Sequence, residues 1–169
     1  NPATPTITAS GATPFCQGGS VTLVSSSGTG NLWSNNETTK FINADSSGNY
    51  SVTVVDGNGC TATSSATTVT VNPLPDATIT PNGATSFCDG GSVLLISGSS
   101  GGNVWSTGET TQFVTVDSSA TISLVVTDGN GCSDSSSQTI TENPLPAPTI
   151  TASGATTFCQ GGSVDLTAT

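Results

Sequence analysis

The sequence predicts an all-β fold built from small antiparallel sandwiches in series, and three observations support this prediction. The 169 residues include 20 Gly and 9 Pro, which favour frequent turns. Short runs alternate apolar with polar residues, as half-buried strands do. The chain also repeats itself, with 72 residues from Cys16 to Cys88 and 71 from Cys88 to Cys159. The same strand pattern is therefore expected in each repeat.

The repeat is marked by cysteines, tryptophans, an Asp-Gly-Asn-Gly turn and an Asn-Pro-Leu-Pro joint. The matching positions are Cys16, Cys88 and Cys159 (the early cysteines), Cys60 and Cys132 (the late cysteines), Trp33 and Trp105, 56–59 and 128–131, and 72–75 and 143–146. Each complete copy carries one early and one late cysteine. The odd total of five then means that the third copy lacks its late cysteine.

The Asn-Pro-Leu-Pro joints divide the chain. Two prolines in four residues cannot donate to a ladder and favour a stiff, extended backbone, which is typical of a linker. The predicted divisions are module 1 at 1–71, a linker at 72–75, module 2 at 76–142, a linker at 143–146, and the first two strands of an incomplete module 3 at 147–169. We expect the chain to be a segment of a longer protein.

Six or seven short strands are predicted in each module. In module 1 they lie around Ile7, over 20–25, around Trp33, over 41–44, over 50–54, and in a Thr-rich run that ends near Val71. No helical spacing of apolar residues is sustained anywhere. Short strands with regular turns are typical of an antiparallel sandwich.

The alternation also selects the core residues. Asp165 lies between Val164 and Leu166, which indicates that the intervening position of this strand faces solvent. The predicted core residues are Val21, Leu23, Trp33, Tyr50, Val52 and Val54 in module 1, and Val93, Leu95, Trp105, Ile122, Leu124 and Val126 in module 2. The order Val-x-Leu, Trp, then Tyr-x-Val-x-Val matches strands B, C and F of an Ig-like fold, without its usual intersheet cysteines.

Four sequence blocks carry a family resemblance. FCQGGSVTL, LWSNNETT, SGNYSVTVVDGNGC and the NPLP joints resemble the Ig-like and PKD-like repeats of giant secreted cell-surface adhesins of Bacteroidota, including gliding-motility adhesins exported by the type IX secretion system. The resemblance covers the whole chain. It implies an extracellular, cell-surface protein of many modules in a rod or filament.

Such a location implies an oxidising compartment, where paired cysteines form disulfides. Two pairings remain open. Pairing within modules joins Cys16 to Cys60 and Cys88 to Cys132. Pairing between modules joins Cys16 to Cys132, and Cys88 then faces a late cysteine of module 3 that this sequence does not contain. Cys60 and Cys159 complete the predicted set of disulfide cysteines.

Strand direction favours pairing between modules. In an Ig-like topology strands B and F run the same way, so Cys16 before B lies at the base and Cys60 after F at the top. About one strand length of 20 Å separates them, whereas disulfides need Cα atoms within about 7 Å. In a head-to-tail array the base of module 1 meets the top of module 2. Cys16 then faces Cys132.

Composition and charge exclude several functions. A formal net charge of −10 with one Lys and no Arg cannot neutralise phosphates, so nucleic-acid partners are excluded. No apolar run is long enough to span a membrane. The chain has no His, and its acids lie singly in turns, so we predict no enzyme, no catalytic residues and no cofactor-binding residues.

Two weaker site hypotheses remain. Trp33 and Trp105 can stack on sugar if exposed, although the buried Trp of strand C is the preferred interpretation. The turns 56–59 and 128–131 contain oxygen ligands that suit calcium, but these sequences are also common hairpin turns. We therefore predict no cofactor and no metal site, with calcium as the alternative.

The leading functional prediction is a structural or adhesive segment of a long extracellular repeat protein that forms a rod or surface filament. Its partners are neighbouring modules and, in a filament, like chains that exchange strands; its surface or polysaccharide target is unspecified. The alternative is a spacer or carbohydrate-binding module of a secreted polysaccharide-degrading enzyme, which an exposed Trp33 would favour. A third alternative is an ice or crystal binder with rows of Thr.

Overall fold

The computed structural model describes residues 2–169 and is all-β, as predicted. No helix within 2–169 has the length and apolarity needed to cross a bilayer. Module 1 contains β1 (Ile7–Ala9), β2 (Pro14–Cys16), β3 (Val21–Ser25), β4 (Asn31–Trp33), β5 (Phe41–Ala44), β6 (Gly48–Tyr50), β7 (Val52–Val55), β8 (Thr61–Thr63) and β9 (Thr67–Asn72).

Module 2 has the same strand order with fewer interruptions. Its strands are β10 (Ile79–Asn82), β11 (Ser86–Cys88), β12 (Val93–Ser97), β13 (Asn103–Trp105), β14 (Phe113–Val116), β15 (Ala120–Thr127) and β16 (Ser133–Asn143). The remaining strands, β17 (Ile150–Ala152) and β18 (Leu166–Ala168), form an antiparallel hairpin.

Each module is a sandwich of two sheets. One sheet has the order β1-β3-β5 in module 1 and β10-β12-β14 in module 2. The opposite sheet has the order β11-β16-β15-β13 in module 2. In module 1 the same arrangement is divided into β2-β9-β6 and β4-β7-β8. This is the Ig-like arrangement, with strands A, B and E facing strands A′, G, F and C.

A separate hydrophobic core fills each module. The two faces of module 1 contribute side chains such as Leu23 and Trp33, and module 2 uses Leu95 and Trp105 at the matching places. All the residues selected from the alternation are buried: Val21, Leu23, Trp33, Tyr50, Val52, Val54, Val93, Leu95, Trp105, Ile122, Leu124 and Val126. Alternation along short strands therefore positions both sheets around a common interior.

A short parallel strand that the sequence analysis did not predict lies beside the last strand of each module. In module 1, β2 pairs in parallel with β9, with Cys16 opposite Asn72. In module 2, β11 pairs in the same way with β16. The early cysteine of each module therefore lies next to the asparagine that begins the Asn-Pro-Leu-Pro joint. The strands β9 and β16 run through Asn72 and Asn143, the first residue of each predicted linker.

The change of period from 72 to 71 has a structural origin in the last strand of module 1. Val54 pairs with Ala62, whereas Tyr50 pairs with Thr67, so one more residue is used on the second strand than on the first. In module 2 the ladder between β15 and β16 continues without such an insertion. The additional residue forms a β-bulge near Ser64, which divides both strands there.

Candidate functional site: the cysteines at the module joint

A disulfide joins the two modules. The Cys16 and Cys132 sulfurs are 2.04 Å apart and the Cα atoms 5.5 Å apart, across a sequence separation of 116 residues. The alternative pairings within modules do not form, because Cys60, Cys88 and Cys159 are free thiols. The bond joins an early cysteine of one module to the late cysteine of the next.

The early cysteine is held by a parallel ladder and a tight turn. Cys16 ends β2, and the Gln17 backbone N–H donates to the carbonyl oxygen of Asn72 at 2.8 Å. The Gly19 N–H then donates to the Cys16 carbonyl at 3.0 Å, and Gly18 adopts a φ of 90°. This left-handed conformation favours glycine at position 18. A side chain at Gly19 would crowd the Cys16 carbonyl oxygen and the Phe15 ring.

The late cysteine ends an Asx-type turn. One carboxylate oxygen of Asp128 accepts hydrogen bonds from the Asn130 N–H at 2.9 Å and the Cys132 N–H at 2.8 Å. The Asp128 N–H donates to the Cys132 carbonyl at 2.9 Å. The bond from Cys132 is the main cause of a lowered pKa of Asp128, because it favours the charged carboxylate. The turn therefore fixes Cys132 close to Asp128.

Burial follows the pairing. Cys132 is completely buried, whereas Cys60, at the same turn of module 1, is only half-buried. Cys16 is half-buried, whereas Cys88, at the same position of module 2, is exposed. Where the joint is formed, each cysteine is less accessible than its unpaired counterpart.

The disulfide lies beside a second covalent connection. Asn72 is opposite Cys16 in the β2–β9 ladder and continues directly into Pro73. Two links to module 2 therefore leave module 1 side by side, one through the backbone and one through sulfur.

The two tryptophans are core residues and do not offer a stacking surface. Trp33 and Trp105 are both buried, and their indole N–H groups donate to the carbonyl oxygens of Thr39 and Thr111 at 2.8 and 2.9 Å. The identical bond in both modules fixes the loop that follows strand C. The exposed Trp33 that would favour a sugar-stacking site is not found.

The carboxylates in the predicted calcium turns serve the backbone. Asp56 accepts from the Asn58 and Cys60 N–H groups at 2.9 Å, as Asp128 does in module 2. Within 2–169 no three His, Cys, Asp or Glu side chains cluster as a metal site would require, and no concave pocket is found. The hydrogen bonds that Asp56 and Asp128 accept give these turns a structural role.

Exposed phenylalanines recur on the outer face of the A-B-E sheet. Phe41 is 59% exposed beside Val24, and Phe113 is 48% exposed beside Ile96. Neither phenylalanine was among the residues predicted from the sequence. Their equal spacing from the tryptophans was a signal, since an aromatic residue repeated on the solvent face of a strand has no role in the core.

Comparisons with known proteins give distant structural likenesses. No protein-family model matches the chain, and no curated protein matches it. Among solved structures, it is similar to a Bacteroides ovatus surface protein, SGBP-B of a mixed-linkage glucan utilization locus, solved with a mixed-linkage heptasaccharide. That match has 15% identity and a TM-score of 0.30, covering 76% of this chain and 42% of that protein.

A second likeness is to the fibronectin(III)-like modules of Clostridium thermocellum CbhA. The identity is 15% and the TM-score 0.32, over 82% of this chain and 94% of that one. With TM-scores this low, neither match indicates what this chain binds. The assignment as Ig-like β-sandwiches comes from the strand order and the two buried cores.

Proposed function

We propose that this chain is a mechanical segment of an extracellular, cell-surface rod or filament with a structural or adhesive role and no catalysis. The observation that supports the proposal is the bond between Cys16 and Cys132, which adds a second covalent connection to the joint at Pro73. A repeated module without a pocket among its described residues distributes length along a chain. The net charge of −10 keeps neighbouring rods apart by repulsion.

The connectivity of the disulfide determines how the chain carries tension. A pull on the two ends passes from residue 2 to Cys16, crosses to Cys132, and continues along β16 towards the second joint. The 115 residues of 17–131 lie inside the closed loop, given the separation of 116, and bear no net extension. At about 3.5 Å per residue, this loop conceals roughly 400 Å of contour length.

Single-molecule force spectroscopy on the oxidised full chain, held by its ends, tests this proposal. We expect the extension that corresponds to 17–131 to be absent until a reductant is added, and then to appear as an increase in contour length of roughly 400 Å. The double variant Cys16→Ser/Cys132→Ser is the matched control and should show the full length without reductant. Equal contour lengths for oxidised and reduced chains would contradict the proposal.

The location follows from the same bond together with the sequence resemblance. Disulfides persist in oxidising compartments, which supports an exported protein. The resemblance to adhesin repeats of Bacteroidota supports the cell surface as the destination. Surface labelling of intact cells with an antibody against the module, with and without external protease, tests this location.

A carbohydrate-binding module of a secreted polysaccharide-degrading enzyme is the second candidate, and the exposed Phe41 and Phe113 favour it. An aromatic face in solvent can stack on sugar rings. Affinity electrophoresis of the full chain in gels containing mixed-linkage β-glucan tests this function. Retardation that disappears in Phe41→Ala/Phe113→Ala and persists in the exposed-residue control Leu32→Ala would support it. Unretarded migration would contradict it for this polysaccharide.

A further inference from the structure

We infer that Cys60 and Cys88 each form a further disulfide of the same kind with another module of this type. Cys60 bonds to an early cysteine of its partner, and Cys88 bonds to a late cysteine of its partner. The proposed rule is directional, because the bond between Cys16 and Cys132 joins an early cysteine to the late cysteine of the module that follows it. The inference rests on the proposed function, whose joint it extends from one pair of modules to assembly with other modules.

The early half of the joint is already formed around Cys88. Cys88 lies opposite Asn143 in a parallel ladder, as Cys16 lies opposite Asn72. The Asp89 N–H donates to the Asn143 carbonyl at 2.8 Å, the same bond and distance that Gln17 makes. The thiol of Cys88 thus lies beside the second proline joint with the same backbone pairing as the bonded Cys16.

The late half is already formed around Cys60. Asp56 accepts from the Cys60 N–H at 2.9 Å, and Asp128 accepts from the Cys132 N–H at 2.8 Å. The preceding glycines, Gly59 and Gly131, have φ values of 81° and 80°. The turn therefore does not reorganise to receive a partner, and the unpaired turn is a preformed acceptor.

The accessible surface shows what the partner covers. Cys132 is completely buried in the formed joint, and Cys60 is half-buried without a partner. Cys88 is exposed, whereas Cys16 is half-buried. A module base that covers a module top accounts for both changes. The formed joint brings a module base against a module top. It does not bring two early cysteines together, or two late cysteines.

Formation of each new bond needs an oxidant, and a small disulfide such as oxidised glutathione supplies it. A Cys60 thiolate attacks this disulfide, forming a mixed disulfide and releasing one glutathione thiolate. The early cysteine of the partner then attacks the protein sulfur and releases the second glutathione. Two protein thiols lose two protons and two electrons, and the glutathione disulfide becomes two thiols.

Oxidation of the full chain tests the pairing rule. An equal mixture of ¹⁵N-labelled and unlabelled chains is oxidised with oxidised glutathione, alkylated, digested without reductant and mapped by mass spectrometry. Peptides of mixed label report bonds between chains. We expect these bonds to join Cys60 to Cys88 or Cys159, since both of the latter are early cysteines. Bonds of Cys60 to Cys60, or of Cys88 to Cys159, should be scarce.

The variant Cys60→Ser should lose nearly all bonds between chains, although two free thiols remain. A Cys60→Ser chain that still cross-links through Cys88 and Cys159 would overturn the inference, as would a wild-type chain that stays monomeric. Neither result would affect the proposed function, because the bond between Cys16 and Cys132 is retained in every chain used. A failure of the proposed function would appear instead in the force measurement, as equal contour lengths for oxidised and reduced chains.

Discussion

Modules 1 and 2 reach the same architecture with different local solutions, most visibly in the last strand. In module 1 the bulge interrupts the ladder, and the Ser64 side chain substitutes for a backbone acceptor. Its hydroxyl accepts from the Val52 N–H at 3.1 Å and donates to the Ser65 carbonyl at 2.8 Å. In module 2 the matching Ser136 donates instead to the Ala77 carbonyl. The sheet tolerates an added residue because the Ser64 hydroxyl hydrogen-bonds both the Val52 N–H and the Ser65 carbonyl oxygen at the bulge.

The first strands differ in the same way. In module 1 the Thr6 N–H donates to the Ser26 hydroxyl at 2.9 Å. In module 2 the matching Thr78 N–H donates to Asp76 at 2.9 Å, and Gly98 replaces the serine. A side chain at Gly98 would collide with Thr78 and Asp76. The serine and the aspartate are alternative caps for one strand.

The hydrogen bonding of a buried asparagine is a further difference between the two modules. Asn103 Oδ1 accepts from the Ser97 hydroxyl at 2.6 Å, whereas the matching Asn31 Oδ1 is buried without a partner among the described residues. The apolar positions coincide in the two modules, but the polar groups are satisfied differently. The comparison shows that core packing sets the fold while polar contacts vary around it.

The largest test of this comparison removes a core side chain from each module. Leu23→Ala and Leu95→Ala should each lower the free energy of unfolding of its own module by about 3 kcal/mol, since both leucines are fully buried. Urea unfolding followed by the fluorescence of Trp33 in a Trp105→Phe background, and the reverse, reports each module separately. Losses that differ more than twofold would break the equivalence of the two cores.

A second pair of variants tests the close approach between strands. Gly30 and Gly102 have φ values of 73° and 74°, and a side chain at either would meet the carbonyl oxygen of Val55 or Thr127. Each change to Ala should destabilise its module by about 2 kcal/mol, from strain and displacement of that strand. The same fluorescence assay measures it. Gly28→Ala, which meets no neighbouring atom, is the control and should have little effect.

The asparagine difference predicts an asymmetry. Ser97→Ala should cost module 2 about 1–2 kcal/mol, because it leaves Asn103 Oδ1 buried without a donor. Ser25→Ala should cost module 1 less, because Asn31 Oδ1 receives no bond from Ser25. Both serines also accept a similar bond from the second residue along, at 3.1 Å, so this shared loss cancels in the comparison. Equal losses would show that the bond to Asn103 contributes nothing.

The smallest effect concerns pH. The hydrogen bond from Thr78 lowers the pKa of Asp76, so the charged carboxylate stabilises the folded module. This contribution is present above the unfolded-state pKa and is lost as pH falls from about 4 through the lower folded-state pKa. Urea titrations of module 2 from pH 5 to pH 2.5 should show a decline that is weaker in Asp76→Asn. An unchanged slope would contradict this role of Asp76.

Much of the fold could be predicted because its determinants are local. Alternation around Leu23 and Leu95, and the tryptophan ten residues later, selected twelve residues that are buried. Other buried residues, such as Ile42, Val114 and Ile140, were not selected. The outer phenylalanines were missed because the solvent side of a strand was interpreted only as polar. Periodicity identifies which residues share a face but gives no account of what an exposed face is for.

The remaining features depend on distant partners. The three residues of β2 are too short to show a period, and they form a strand only because β9, far along the chain, lies parallel to them. The bulge left a trace in the sequence as a one-residue change of period, but periodicity does not locate it. Prediction of the disulfide at the joint required the directions of strands B and F, which the Ig-like strand order supplied.

The parallel placement of β2 beside β9 has a consequence for rotation. Cys16 and Pro73 attach module 1 to module 2 at two neighbouring points, and two points fix an angle that a single flexible tether leaves free. Torque applied to one module therefore passes to the next instead of dissipating as swivelling at the prolines. A series of such joints therefore resists twisting along its length, whereas modules joined by single flexible linkers rotate independently of one another.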